Sequence, residues 1–359
     1  MPPERARAFA PGRVNLIGEH TDYNEGLALP FAIGEGITVT AQACDGDGRG
    51  EQGARLEVLA LDLDERDEFA VAEPDPPHGW RAYVRGVAAE LARAGSPPPC
   101  ARVEIHGDLP RGAGLSSSAA LEVALCLALT ELARASSGAP PQPPDRIALA
   151  KLCARVENDW VGARTGMLDQ LACLYGAPDT AVRIDFRTLD VQPVALSLDG
   201  WRLAVLDSGE RHANASSGYN ERRAECARAC ELLGITSLRD ADIDAVSRLP
   251  EPLARRARHV LEENARVERT VAALRDGDLV AVGSLLDESH RSLRDLYEVS
   301  TAAVEETVAR LRDAGAAGAR LVGGGFGGSV LGLLAPGVNV PREAREVHPG
   351  PGAHLLDAV

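Results

Sequence analysis

Aromatic side chains are scarce in this sequence. They make up 4% of its 359 residues. The cores must therefore be aliphatic and alanine-rich, within an apolar content of 45% that is ordinary for a soluble protein. Positive charge is short as well. Lys and Arg number 38 against 53 Asp and Glu, a net charge of −15. Nucleic acid and anionic membrane both need a basic face, so neither is expected as a partner. Long apolar runs are missing. No segment has the length of a membrane span, and Met1 to Arg7 has no apolar run of signal length, so the cytoplasm is the expected location. No CxxC pair occurs. The seven cysteines (44, 100, 126, 153, 173, 226 and 230) are odd in number and scattered, which fits reduced core thiols.

What is present is a mixture of strands and helices. The length suggests two domains. Alternation predicts strands over 35–43, 54–63 and 101–107, with the turn-rich Gly46 to Gly50 between the first two and a Pro-rich loop over 74–77. Helical spacing predicts helices over 80–94, 117–134, 145–158 and 167–175. In the second half, strands are expected near 182–186 and 201–207. Helices follow over 217–233, 252–275, 278–288 and 301–314, then a strand, a glycine loop and a strand over 318–334. There is no regular βαβ alternation, which favours α+β over a doubly wound sheet.

Four segments carry chemistry. In the first, Ala10-Pro11-Gly12-Arg13-Val14-Asn15-Leu16-Ile17-Gly18 reads as a strand turning apolar, and Glu19, His20, Thr21 and Asp22 follow its end. Two carboxylates, an imidazole and a hydroxyl make a cluster suited to the hydroxyls of a sugar; a polar turn is the plain alternative. In the second, Leu109 to Ala120, a Gly-rich stretch runs straight into a helix. Gly112 and Gly114 allow close backbone approach, and a helix N-terminus offers free N–H groups to an anion. Ser116, Ser117 and Ser118 can cap the helix, bond phosphate oxygens or reach a metal. The segment is neither GxxxxGK[ST] nor GxGxxG. In the third, Glu157 ends one helix and Asp169 opens the next, where an acid is ordinarily a dipole partner. In the fourth, Gly323-Gly324-Gly325-Phe326-Gly327-Gly328 permits positive φ and close approach.

Together these segments resemble the GHMP small-molecule kinases, and residues 10–30 resemble the galactokinase signature within them. The resemblance implies a two-domain α+β fold. Residues 1–180 would form a ribosomal-S5-like domain rejoined by 345–359, and 181–344 a ferredoxin-like domain, with the site between them. It implies ATP-dependent phosphorylation of galactose at the anomeric hydroxyl. Gly112, Ala113, Gly114, Leu115, Ser116, Ser117 and Ser118 would wrap the triphosphate, and Ser118 and Glu157 would hold Mg²⁺. Asp169 would be the base, with Arg13 beside it and the transferring phosphate. Glu19, His20, Thr21, Asp22, Gly166 and Tyr219 would bind the sugar, and His212 would be structural. A monomer is expected.

The chain also departs from the pattern. It has Gly166-Met167-Leu168-Asp169-Gln170 where the family has Gly-Ile-Met-Asp-Gln, Arg164-Thr165 in place of a Cys-containing pair, and Ser329 in place of Cys. A helix of some twenty residues usual after Leu334 is nearly absent, which would bare a sheet face unless another element covers it. Two other readings remain open at this point: a kinase for a related sugar such as N-acetylgalactosamine or arabinose, and a non-catalytic galactose- and ATP-binding sensor.

Overall fold

A computed structural model describes residues 5–44, 54–72, 77–110, 114–140, 142–163, 165–211 and 215–357. Gly112, Ala113, Arg164, His212, the turn at 46–50 and most of the loop at 74–77 lie outside the described residues.

The first half is built on β1 (Arg5–Asn15), β2 (Leu27–Ala28), β3 (Pro30–Ala43), β4 (Arg55–Ala60), β5 (Glu65–Ala70) and β6 (Ala101–Gly107). Its helices are α1 (Trp80–Arg93), α2 (Ser117–Ser136), α3 (Arg146–Arg155) and α4 (Leu168–Tyr175). Then come β7 (Thr180–Asp185), β8 (Asp190–Ala195), β9 (Arg202–Arg211) and α5 (Ala215–Leu233). The rest is α6 (Ile243–Val246), α7 (Leu253–Arg275), α8 (Leu279–Asp295), α9 (Ala302–Asp313), β10 (Ala316–Val322), β11 (Gly327–Leu334), β12 (Arg345–Val347) and β13 (His354–Leu356).

Six strands in the order β13-β1-β3-β6-β4-β5 make the main sheet, in which β4 and β6 are the parallel pair. Helix α2 is apolar nearly all round, buried from Ala119 to Leu129, as a helix enclosed by other elements should be. It lies on β1 and β3 and meets α1, α3 and α4. Alanine, valine and leucine dominate the core beneath it, with Phe69 and Phe186 as its buried aromatics. A second sheet runs β10-β11-β9-β12, and α9 crosses β9, β10 and β11. A small third sheet runs β2-β7-β8.

The two large sheets share a core. Val14, Leu16, Leu29 and Phe31 from the first half pack with Val267, Val322, Leu331 and Leu333 from the second. This seam sets how the end of β1 stands against the C-terminal helices.

Several expected boundaries shift. The first apolar strand ends at Asn15, yet pairing continues through Leu16 N to Leu29 O at 3.2 Å and Leu29 N to Ile17 O at 2.9 Å. The helix expected over 145–158 stops at Arg155 and widens into a π-helical turn, Val156–Val161, closed by left-handed Gly162. Strands β5 and β8 and helix α6 escape the sequence pattern, the strands because charged or polar residues break up their alternation. The region after Leu334 has no helix, but the sheet face is covered: Val338, Val340 and Ala344 pack from an irregular segment onto the core that α9 seals. Strand β12 then pairs with β9, and β13 with β1. All seven cysteines are free.

Phe31 is fully buried at the seam. Phe31→Ala is expected to cost about 3–5 kcal/mol in urea denaturation. A loss under about 1 kcal/mol would show that the seam does not hold the halves together.

Candidate active site

The site forms where β1 ends against the start of α2. Arg13 anchors it. Its backbone N–H donates to Leu115 O at 3.1 Å and its Nη1 to Gly114 O at 2.7 Å. Its Nε donates to Asp169 Oδ1, also at 2.7 Å. Asp169 opens α4, and its second oxygen accepts from Ser116 Oγ at 2.5 Å. Ser116 stands at the N-cap of α2 with φ 58° and makes no capping bond there. The hydroxyl expected to cap a helix instead meets the candidate base. Leu115 turns its side chain into the seam core, so only its backbone is available to a ligand. Gly114 and Ser117 are exposed.

Glu157 sits in the π-helical turn, the kind of local irregularity common at functional sites. It is 4% exposed. One carboxylate oxygen accepts from Ser118 Oγ at 3.1 Å and the other from Thr165 Oγ1. Burial, and then the charge of Asp169, push its pKa up. Among the described residues its partners are hydroxyls and the Gln170 amide, with no basic side chain. A buried acid without a counter-charge, beside a serine hydroxyl, suits a hard divalent cation.

On the other side of Asp169 lies a cavity of about 190 Å³. It is small beside the roughly 300–1,000 Å³ typical of drug-sized sites. Arg13, Glu19, His20, Asp22, Gly166 and Asp169 line it, with Tyr219 and Gly324 opposite. Glu19 is fixed by the Gly323 N–H at 2.8 Å and paired with Arg320 at 3.1 Å. The pKa of Asp22 is pushed up to about 6, mainly by burial, with Asp169 and Glu19 adding to the rise. Its carboxylate lies against Gly166: a Cβ there would stand 2.0 Å from Asp22 Oδ2. Tyr219 crosses Gly324, where a Cβ would meet its ring at 3.0 Å. His20 is pulled down to about 3, chiefly by burial, so its ring is neutral.

The geometry gathers Arg13, Glu19, His20, Asp22, Gly166, Asp169 and Tyr219 around one space, with Ser116, Ser118 and Glu157 next to it. Thr21 needs correction. Its hydroxyl is fully buried and donates to Gly18 O and Leu27 O, so it closes the corner and does not face the cavity.

Other residues support the corner without any motif to announce them. Glu263 on α7 accepts from the Gly18 N–H at 3.0 Å, and Asn264 from the Leu27 N–H at 2.8 Å. His259 Nε2 donates to Glu19 O at 3.2 Å. Burial opposes charge on Glu263, yet Arg266, His259 and Arg320 draw its carboxyl down to about 2. The one visible signal is polar residues 259, 263 and 266 recurring on the buried face of a long helix.

The galactokinase galactose-binding signature matches residues 2–43, the GHMP kinase N-terminal domain 82–177 and the GHMP kinase C-terminal domain 270–350. Galactokinase of Mycobacterium tuberculosis is 42% identical over 343 residues, covering 90% of this chain and 88% of that one. Galactokinase of Thermotoga petrophila is 40% identical over 329 residues, covering 91% and 89%. The crystal structure of Lactococcus lactis galactokinase complexed with galactose superposes with a TM-score of 0.86 at 30% identity, covering 98% of this chain and 95% of that one. A mevalonate kinase, at 17% identity and TM-score 0.64, shares the fold.

Two outcomes are expected. Gly166→Ala drives a methyl into Asp22 and raises the sugar KM about tenfold or more, with little change in the KM for ATP. An unchanged sugar KM would separate Asp22 from recognition. As pH falls through about 6, Asp22 takes up a proton and loses an acceptor site, so sugar affinity drops. Calorimetric titration between pH 5 and 8 checks this, and Asp22→Asn should flatten the profile.

Proposed function

The chain belongs to the galactokinase family of GHMP kinases, and from that premise we propose how its residues carry out ATP-dependent phosphorylation of galactose at the anomeric hydroxyl. Asp169 takes the proton of the C1 hydroxyl as that oxygen attacks the γ-phosphorus of ATP, whose bond to the β–γ bridging oxygen breaks so that ADP leaves with that oxygen. The hydroxyl of Ser116 turns away from Asp169 to leave one carboxylate oxygen open to the sugar. Arg13 keeps the other oxygen in place and offsets charge on the transferring phosphoryl group. Glu19 and Asp22 accept sugar hydroxyls, while His20, Tyr219 and the Gly166 backbone complete the wall.

The triphosphate is expected along residues 112–118, and the N-terminus of α2 supplies donors in an otherwise acidic protein. Ser118 and Glu157 would hold Mg²⁺, and their donor set fits it. A bound Mg²⁺ would neutralise charge on the β- and γ-phosphate oxygens. Positioning and electrostatics supply most of the rate in such a transfer. One chain carries all of these groups, so a monomer suffices. No helix among the described residues is long and apolar enough to cross a membrane.

The observation that carries this reading is the Asp169 carboxylate, held between Arg13 and Ser116 at the wall shared by the sugar cavity and the phosphate loop. Axial O4 of galactose distinguishes it from glucose, and a site built to pair a hydroxyl rejects an analogue that lacks the match. ADP release across galactose, glucose, N-acetylgalactosamine and arabinose tests the substrate range, with galactose expected to be preferred. Asp169→Asn should lose about 10²–10⁴-fold in kcat while binding galactose within a few-fold of wild type. Near-wild-type turnover in that variant would remove Asp169 as the base.

A further inference from the structure

The sugar wall holds three carboxylates, Glu19, Asp22 and Asp169, all acceptors. A donor fixed among them would order the hydroxyls it meets. His20 occupies that position. It is 3% exposed, lines the cavity, and has φ 62°. Its Nε2 is buried and makes no hydrogen bond. Its Nδ1 lies 2.8 Å from Tyr23 Oη. From there a chain of hydroxyls leads away from the cavity: Tyr23 Oη to Tyr297 Oη at 2.9 Å, then Tyr297 Oη to Cys226 Sγ at 3.0 Å. Tyr297 is fully buried, and its ring lies 4.6 Å from that of His20 at a tilt of 41°, so the two side chains are held in contact.

The chain can run in two directions. In one, Cys226 donates to Tyr297, Tyr297 to Tyr23, and Tyr23 to Nδ1, which leaves the ring hydrogen on Nε2. In the other, Nδ1 donates outward and Nε2 faces the cavity as an acceptor. At the ring end the first uses the better partners. A phenol O–H is a stronger donor than an imidazole N–H, and an imidazole nitrogen is a stronger acceptor than a phenol oxygen.

We propose that Tyr23 and Tyr297 are positioning residues for sugar recognition, their hydroxyl chain holding the His20 hydrogen on Nε2 so that the ring donates to one sugar hydroxyl among acceptors. The proposal rests on the galactose-binding reading of this cavity. A sugar hydroxyl that donates to a carboxylate still has lone pairs, and Nε2–H fills one of them. The pairing fixes that hydroxyl's direction as well as its presence.

The test is long-range ¹H–¹⁵N NMR of the histidine rings in the unliganded full chain at neutral pH. The His20 signals are identified by their loss in His20→Gln. The expected pattern is hydrogen on Nε2 in wild type, moving towards a mixture or the other tautomer in Tyr23→Phe. In the same variant the KM for galactose should rise about tenfold, while kcat and the KM for ATP stay within about threefold. Tyr297→Phe keeps the ring contact and should shift both readouts in the same direction. His20→Gln, which can place an amide N–H near the Nε2 position, should retain more sugar affinity than His20→Asn. Hydrogen on Nδ1 in wild type would overturn the proposal, as would a Tyr23→Phe variant unchanged in both tautomer and KM. Inactivity of wild type towards galactose would instead sink the functional reading and the sugar part of this proposal with it. The tautomer, read without turnover, tells the two failures apart.

Discussion

One guanidinium joins three parts of the fold that the reaction needs together. Arg13 stands near the end of β1, reaches the phosphate loop through Gly114 O, and holds Asp169 at the start of α4. Its side chain is 8% exposed and that of Asp169 27%. A pair in such a setting is screened less than a surface ion pair and has fixed geometry. The planar fork matters as much as the charge, because two of its nitrogens serve two different acceptors at once. Without it, the Gly114 carbonyl and the Asp169 carboxylate would each lose a partner, and the strand would lose its side-chain grip on the loop.

The sugar side depends on the opposite half of the chain. The turn after Ile17 cannot hold itself. Gly18 takes φ 98°, and its N–H is satisfied by Glu263, 245 residues further on. Arg320 on β10 donates to Asn15 O and Leu16 O and pairs with Glu19. These polar contacts lie beside the apolar seam of Leu16, Phe31, Val267 and Val322. The seam fixes the distance between the halves, and the buried polar groups fix the direction in which the corner faces. Buried polar groups paired across elements in this way favour one arrangement, and a single lost partner is costly.

Much of this was legible in the sequence because the chemistry clusters locally. Glu19, His20 and Asp22 lie within four residues of one another, and the strand before them aims them together. The Gly/Ser loop pointed to phosphate only through the family resemblance, since a glycine run entering an apolar helix fits a plain capped helix equally well. Ser116 was readable as a ligand of phosphate, but its bond to Asp169 was not, because the two are 53 residues apart. Thr21 looked like its neighbours and proved to be a turn residue, since a hydroxyl can serve two backbone carbonyls as readily as a sugar. Glu263, His259 and Asn264 carried no motif, and only the folded chain brings α7 against the corner. The shortened region after Leu334 suggested a bare sheet face. Three apolar side chains, at 338, 340 and 344, proved enough to cover it without a helix.

The central claim is that the Arg13 fork, not its charge alone, holds the base and the phosphate loop in register. Arg13→Lys keeps the charge and loses the fork. Steady-state turnover with galactose and ATP, beside calorimetric binding of galactose, tests the claim directly. The expected result is a kcat lower by about 10²-fold or more, with galactose affinity within a few-fold of wild type. A lysine variant that turns over at the wild-type rate would contradict it.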